Sequence, residues 1–72
     1  MLYWKRKVNN DNYIYYRSES YDTLLQSYNN FYREWEDNIV TMTQKKKFQG
    51  DAIQEVSEEE VDNYTVMQEL QA

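Results

Sequence analysis

A chain of 72 residues with no cysteine has no disulfide to hold it together, so packing must supply the whole of its stability. A domain this short buries only roughly 60% of its unfolded surface, which makes the core marginal. What this chain has in place of staples is rings: eight Tyr, two Trp and two Phe, 17% of its residues. Each can bury about 150–250 Å². Disorder goes with few aromatics and low hydrophobicity, so residues 1–42 are expected to fold. There is no Pro and only one Gly, Gly50, so no flexible linker is expected and the chain reads as one domain, 1–72.

Charge is distributed unevenly. Residues 48–72 carry seven acids and no base: Asp51, Glu55, Glu58, Glu59, Glu60, Asp62 and Glu69. All eight Lys and Arg lie in residues 1–47 beside six acids, so the front nets 8 − 6 = +2, the tail −7 and the whole −5. Such asymmetry speaks to partners rather than to fold.

Residues 2–8 alternate, with Leu2, Trp4, Arg6 and Val8 on one side and Tyr3, Lys5 and Lys7 on the other. Residues 13–19 are rich in Tyr and Ile. Asn9-Asn10-Asp11-Asn12 between them tolerates left-handed backbone, which predicts an antiparallel hairpin. Leu24, Leu25, Tyr28, Phe31, Tyr32 and Trp35 fall at one-face helical spacing. With Asp22 as N-cap and Asn38 as stop, they predict a helix over about residues 23–37 that covers the sheet. Ile39–Thr43 reads as a third strand running on toward Phe48, and residues 52–56 are ambiguous. Ser57-Glu58-Glu59-Glu60 matches a capping box, with Val56 and Val61 placed as a hydrophobic staple. Val61, Tyr64, Met67 and Leu70 then make a thin apolar stripe, so a second, acidic helix is expected over about 58–70. The expected fold is α+β in the order β-β-α-β-α, a three-stranded antiparallel sheet covered by an amphipathic helix. Residues 1–47 would form the hairpin, helix and third strand, and 48–72 an acidic C-terminal segment.

Catalysis finds little to work with. The sequence has no glycine loop for phosphate, no Cys or His for nucleophilic chemistry or zinc, and no calcium-loop pattern. A non-enzyme without cofactor or metal is expected. No apolar run approaches the roughly 20 residues of a membrane span. Leu2-Tyr3-Trp4 precedes Lys5-Arg6-Lys7, the reverse of a signal peptide, so a cytoplasmic location without membrane partners is expected.

The acidic segment has two readings. Glu58, Glu59 and Glu60 complement the positive end of a helix dipole. Exclusion of every base from residues 48–72 goes further and suggests a surface that imitates the phosphates of a duplex, one charge per about 1.7 Å of axis. Asp11, Glu19, Asp22, Glu34, Glu36 and Asp37 would extend the track if folding brings them to the same side. Tyr13, Tyr15 and Tyr64 would supply contact area, since Tyr is favoured at interfaces. Reversal of Glu58, Glu59 and Glu60 to Lys is then expected to abolish binding with the fold intact. The triplets Lys5-Arg6-Lys7 and Lys45-Lys46-Lys47 allow a different reading, a single-stranded nucleic-acid platform of rings and lysines, or a guard on strand edges. A homodimer through the thin second helix is a third.

Val8-Asn9-Asn10-Asp11, Tyr13 after it, and Ser18-Glu19-Ser20 leading into an aromatic helix resemble a string in small acidic phage inhibitors of the anti-CRISPR type. The likeness covers about a fifth of the chain, and the two basic triplets depart from a pure mimic. It implies an acidic surface occupying the site at which a CRISPR nuclease reads duplex DNA, with Asp11 and Glu19 on matched positions. The expected function is a non-enzymatic inhibitor that covers the nucleic-acid-binding surface of a basic host protein. Its partner-binding residues would be Asp11, Glu19, Asp51, Glu58, Glu59, Glu60, Asp62, Tyr13, Tyr15 and Tyr64.

Overall fold

The structure is a computed structural model and describes residues 1–71. Its strands are β1 (Leu2–Asn9), β2 (Asn12–Ser18), β3 (Leu24–Asn29), β4 (Glu34–Thr41) and β5 (Ile53–Val56), and its helices α1 (Met42–Gln49) and α2 (Glu58–Leu70). One turn of 3-10 helix, Gly50–Ala52, joins α1 to β5. The strands form one antiparallel sheet in the order β4-β3-β2-β1-β5. The fold is α+β as expected, with five strands rather than three.

The β1–β2 hairpin follows from its alternation. Trp4 pairs with Tyr16 and Tyr3 with Arg17, so odd and even positions of β1 face opposite sides. The turn does not use left-handed backbone at the Asn run. An irregularity between Lys7 and Asn9 absorbs the twist, and Asn12 Nδ2 donates to Asn9 Oδ1 at 2.7 Å.

The helix expected over 23–37 is instead two strands and a turn, and the reason lies in burial. β3 lies inside a sheet covered on both sides. Leu25 enters the core with Trp4, Tyr16 and Met42, while Tyr28 enters the opposite core with Tyr15 and Val61. A strand buried on both faces loses its two-residue period, and the three-residue step from Leu25 to Tyr28 imitates a helix. Tyr28 then pairs across to Trp35, with ring centroids 5.3 Å apart. Asp22 caps no helix; its Oδ1 accepts from Thr43 Oγ1. Asn38 stops no helix either and lies in the irregular part of β4.

The third strand does not run on toward Phe48. It ends at Thr41, whose hydroxyl accepts from Gln44 N–H while Gln44 Oε1 accepts from Thr41 N–H, a complete capping box that starts α1. Met42 drops into the first core and carries α1 onto that face. β5 adds to β1, with Val56 opposite Tyr3. α2 then crosses the other face, where Val61 and Tyr64 pack with Tyr15 and Tyr28 and Val56 joins the same cluster. The sheet is therefore sandwiched between one basic and one acidic helix. The molecule measures 34 × 26 × 20 Å.

The stripe expected on α2 turns away from the sheet. Val61 is buried and Tyr64 half-buried, but Met67 and Leu70 are exposed and Thr65 and Gln68 face inward. Steps of three fall short of a full turn, and over nine residues Leu70 drifts about 180° from Val61.

Candidate functional site

α2 begins at an N-cap, Ser57, whose hydroxyl accepts from Glu60 N–H at 3.1 Å. The reciprocal half of the expected capping box does not form. Glu60 Oε2 accepts instead from Lys5 Nζ at 2.9 Å and from the Tyr15 hydroxyl at 3.2 Å. This carboxylate ties α2 to β1 and β2. Tyr15 is only 7% exposed, and Tyr64 lies against it with ring centroids 4.4 Å apart. Burial, then the hydrogen bond and charge of Glu60, push the Tyr15 hydroxyl from 10.0 up to about 12. Glu60, Tyr15 and Tyr64 thus fasten the helix to the sheet. Tyr13 is half-buried, with Lys5 Nζ 4.7 Å from its ring centroid.

The remaining sequence-derived acids are all exposed, and they fall into two groups. Glu58, Glu59 and Asp62 lie on the first turns of α2, which start at the Tyr3 end of β1. Glu19 lies in the loop after β2 at that same end, because Ser18 pairs with Leu2. The Tyr3 hydroxyl is raised by burial and then by the carboxylates of Glu58 and Asp62. Asp11, in the β1–β2 turn, and Asp51, beside Asn9 and Asn10, lie at the opposite end. The ten residues therefore do not form one track. Glu34, Glu36 and Asp37 form another exposed run, on edge strand β4, where Asn29 Nδ2 and Gln26 Nε2 donate to Glu36 and Asp37. Glu55, on the other edge strand, accepts from the Tyr21 hydroxyl at 3.2 Å.

The basic triplets also land differently from expectation. Lys5-Arg6-Lys7 lies on β1, which is internal to the sheet. Its alternation sends Lys5 to the α2 face and Arg6 to the α1 face, where Arg6 Nε donates to Tyr16 Oη at 3.0 Å. Lys45-Lys46-Lys47 lies on a helix, with Lys45 over the Tyr16 ring and Lys46 over the Tyr21 ring. Neither triplet guards a sheet edge. Both edges carry acids, which serve that purpose equally well.

Among the described residues Lys5–Glu60 is the one ion pair, and it is part-buried, with the Glu60 side chain 40% exposed. The cations of α1 lie on the face opposite α2, and Glu58, Glu59 and Asp62 form no ion pair among the described residues, although Lys5, Arg17 and Arg33 lie on the α2 side. A hollow of about 540 Å³, open to solvent, holds one carboxylate, Asp51, among Lys7, Tyr13 and turn residues. It offers no carboxylate pair for acid–base chemistry. Sequence reasoning missed Arg17, which stacks 4.3 Å from the Trp35 ring centroid, and the exposed Phe31–Tyr32 pair; both follow from the β3–β4 hairpin that the helical spacing concealed.

No protein-family model, curated protein or solved structure matches this chain.

Proposed function

We propose that this chain is a non-enzymatic binding protein whose acidic side covers the basic, nucleic-acid-reading surface of another protein. The observation that carries the reading is a set of exposed carboxylates on the first turns of α2 that form no ion pair. Glu58 and Asp62 lie one turn apart, about 6 Å at 1.5 Å per residue, on a helix fixed to a packed core. Neither forms an ion pair among the described residues, although Arg17 lies on the same side of the sheet, stacked on Trp35. A rigid row of unpaired carboxylates raises local potential, steers basic partners and competes with phosphate for their Lys and Arg. Glu19 lies at the same end and widens the row. Glu60, Tyr15 and Tyr64 support it from below, and Tyr13 and Asp11 belong to a separate flank.

The likeness of Val8–Asp11, Tyr13 and Ser18–Ser20 to anti-CRISPR phage inhibitors makes a CRISPR nuclease one candidate target, in the cytoplasm of an infected bacterium. A pull-down from such a lysate tests the reading, with Glu58→Lys/Glu59→Lys/Asp62→Lys as control and duplex DNA as competitor. The expected result is a nucleic-acid-binding protein that is retained by the wild type and released by DNA. Retention of the same protein by the folded variant overturns the reading. Glu60 is left intact in this variant, because a lysine there would face Lys5.

A second reading rests on the hollow lined by Arg6, Lys46, Lys47, Phe48 and Asp51, which gathers three cations, one carboxylate and a ring on the α1 face. Direct binding of single-stranded nucleic acid there would be lost in Lys46→Ala/Lys47→Ala, read by fluorescence anisotropy of labelled oligonucleotides.

A further inference from the structure

The outward face of α2 changes character halfway along. At about 100° per residue, Glu59, Val66 and Leu70 fall within about 40° of one another, on the side opposite Val61 and Gln68. Glu58 and Asp62 flank this ridge on one side and Met67 on the other. Burial agrees with the geometry. Glu58, Glu59 and Asp62 are exposed, and so are Val66 at 51%, Met67 at 58% and Leu70 at 79%. The first turns thus offer carboxylates and Asn63, and the last turns offer three apolar side chains with Glu69 at one flank. In a chain with so small a core, that is apolar area withheld from folding.

The β3–β4 turn adds to the apolar end. Arg33 Nε donates to Gln68 C=O at 3.0 Å, and Asn30 lines one hollow with Tyr64 and Gln68, so the turn lies against the second half of α2. It carries Phe31 and Tyr32, 80% and 66% exposed, edge to face with centroids 5.0 Å apart. The backbone holds these rings outward. Asn29 Oδ1 accepts from the N–H groups of both, and Asn29 C=O accepts from Arg33 N–H at 2.7 Å. Arg33 closes the turn with φ 57°, left-handed backbone that a non-glycine residue rarely adopts. Aromatic and Met side chains are enriched in the buried centres of protein interfaces.

We propose that the outward face of α2 docks as a unit on a protein surface where an apolar stripe adjoins Lys and Arg. The proposal rests on the acidic-row reading above and names what lies beside the basic track of the partner. Charge selects this occupant. Every charged side chain of α2 is an acid, and Arg33, the cation of the neighbouring turn, is turned onto a backbone carbonyl. An anionic lipid surface would meet Glu58, Glu59, Asp62 and Glu69 and be repelled. Two α2 helices packed outward face to outward face would set carboxylates against carboxylates when parallel, and against Val66 and Leu70 when antiparallel. Nucleic acid offers the row no cation. A basic protein surface with apolar side chains satisfies both halves, since the row steers the approach and the apolar end slows departure. Val66 and Leu70 have the i, i+4 spacing by which a helix anchors in a groove, and Asp62 lies one turn before them.

Fluorescence anisotropy with two labelled peptides of equal charge tests it on the full chain. Each peptide has about 15 residues, with Lys on one helical face and either Leu or Ser on the other. The wild type is expected to bind the leucine peptide about tenfold more tightly than the serine peptide, the gain that burial of one apolar side chain supplies. Val66→Gln/Leu70→Gln changes exposed positions to a good helix former, so its circular dichroism should match the wild type. It is expected to bind both peptides alike. A wild type that favours neither peptide overturns the proposal, and so does an undiminished preference in the folded Val66→Gln/Leu70→Gln variant. In either case, loss of the serine peptide by Glu58→Lys/Glu59→Lys/Asp62→Lys leaves the acidic row standing. If that lysine variant instead binds both peptides as the wild type does, the row itself fails and this proposal fails with it.

Discussion

Glu60 and Glu59 are adjacent, chemically identical and physically different. Glu59 faces water, where a substitution shifts stability by within about 0.5 kcal/mol. Glu60 holds Lys5 and Tyr15 through one oxygen, and its removal takes a charged hydrogen bond from both. Glu60→Ala is therefore expected to destabilise by about 1–3 kcal/mol, read by denaturant unfolding, while Glu59→Ala changes little. The Tyr15 hydroxyl gives a pH signature. Its folded-state value, raised from 10.0 to about 12, means the folded chain holds a proton that the unfolded chain has released. That contribution is complete below pH 10 and is lost as pH rises toward about 12. The unfolding midpoint is expected to fall over this window, and to fall less steeply in Tyr15→Phe. Tyr3, Tyr28 and Tyr64 are also raised, by burial first, so some decline persists in that variant.

At the scale of elements, what could be read in advance was whatever depended on neighbours in sequence. The β1–β2 hairpin follows from strict alternation, and α2 follows from Ser57 and its three glutamates. β3 and β4 were hidden because Leu25 and Tyr28 enter opposite cores, information that exists only once both faces of the sheet are covered. α1 was legible and overlooked: Thr41-Met42-Thr43-Gln44 has the spacing of a capping box, masked by the β-branched run before it. That box predicts a measurable dependence. Thr41→Ala is expected to cost about 1 kcal/mol by loss of the cap, with Thr41→Ser retaining most of the stability, both by thermal unfolding. The candidate site was legible as a composition, one sign over about a third of the chain. Its geometry was not, because the pairing of Glu60 with Lys5 spans 55 residues.

For the whole molecule, the sheet acts as a divider. α1 places Lys45, Lys46 and Lys47 on one face and α2 places Glu58, Glu59 and Asp62 on the other. The charges of the two helices are kept apart, and what holds the molecule together is ring packing in two cores. Small domains have little stability to spare, roughly 0.05–0.15 kcal/mol per residue, so a test of the surface must leave both cores alone. The most direct measurement is a titration of wild type and Glu58→Lys/Glu59→Lys/Asp62→Lys against the protein retained in the pull-down, in rising salt and beside their melting curves. The account predicts matching melts, a wild-type affinity that falls steeply as salt screens charges over about 8–10 Å, and no binding by the variant. Undiminished, salt-insensitive binding by a variant that melts like the wild type would contradict it.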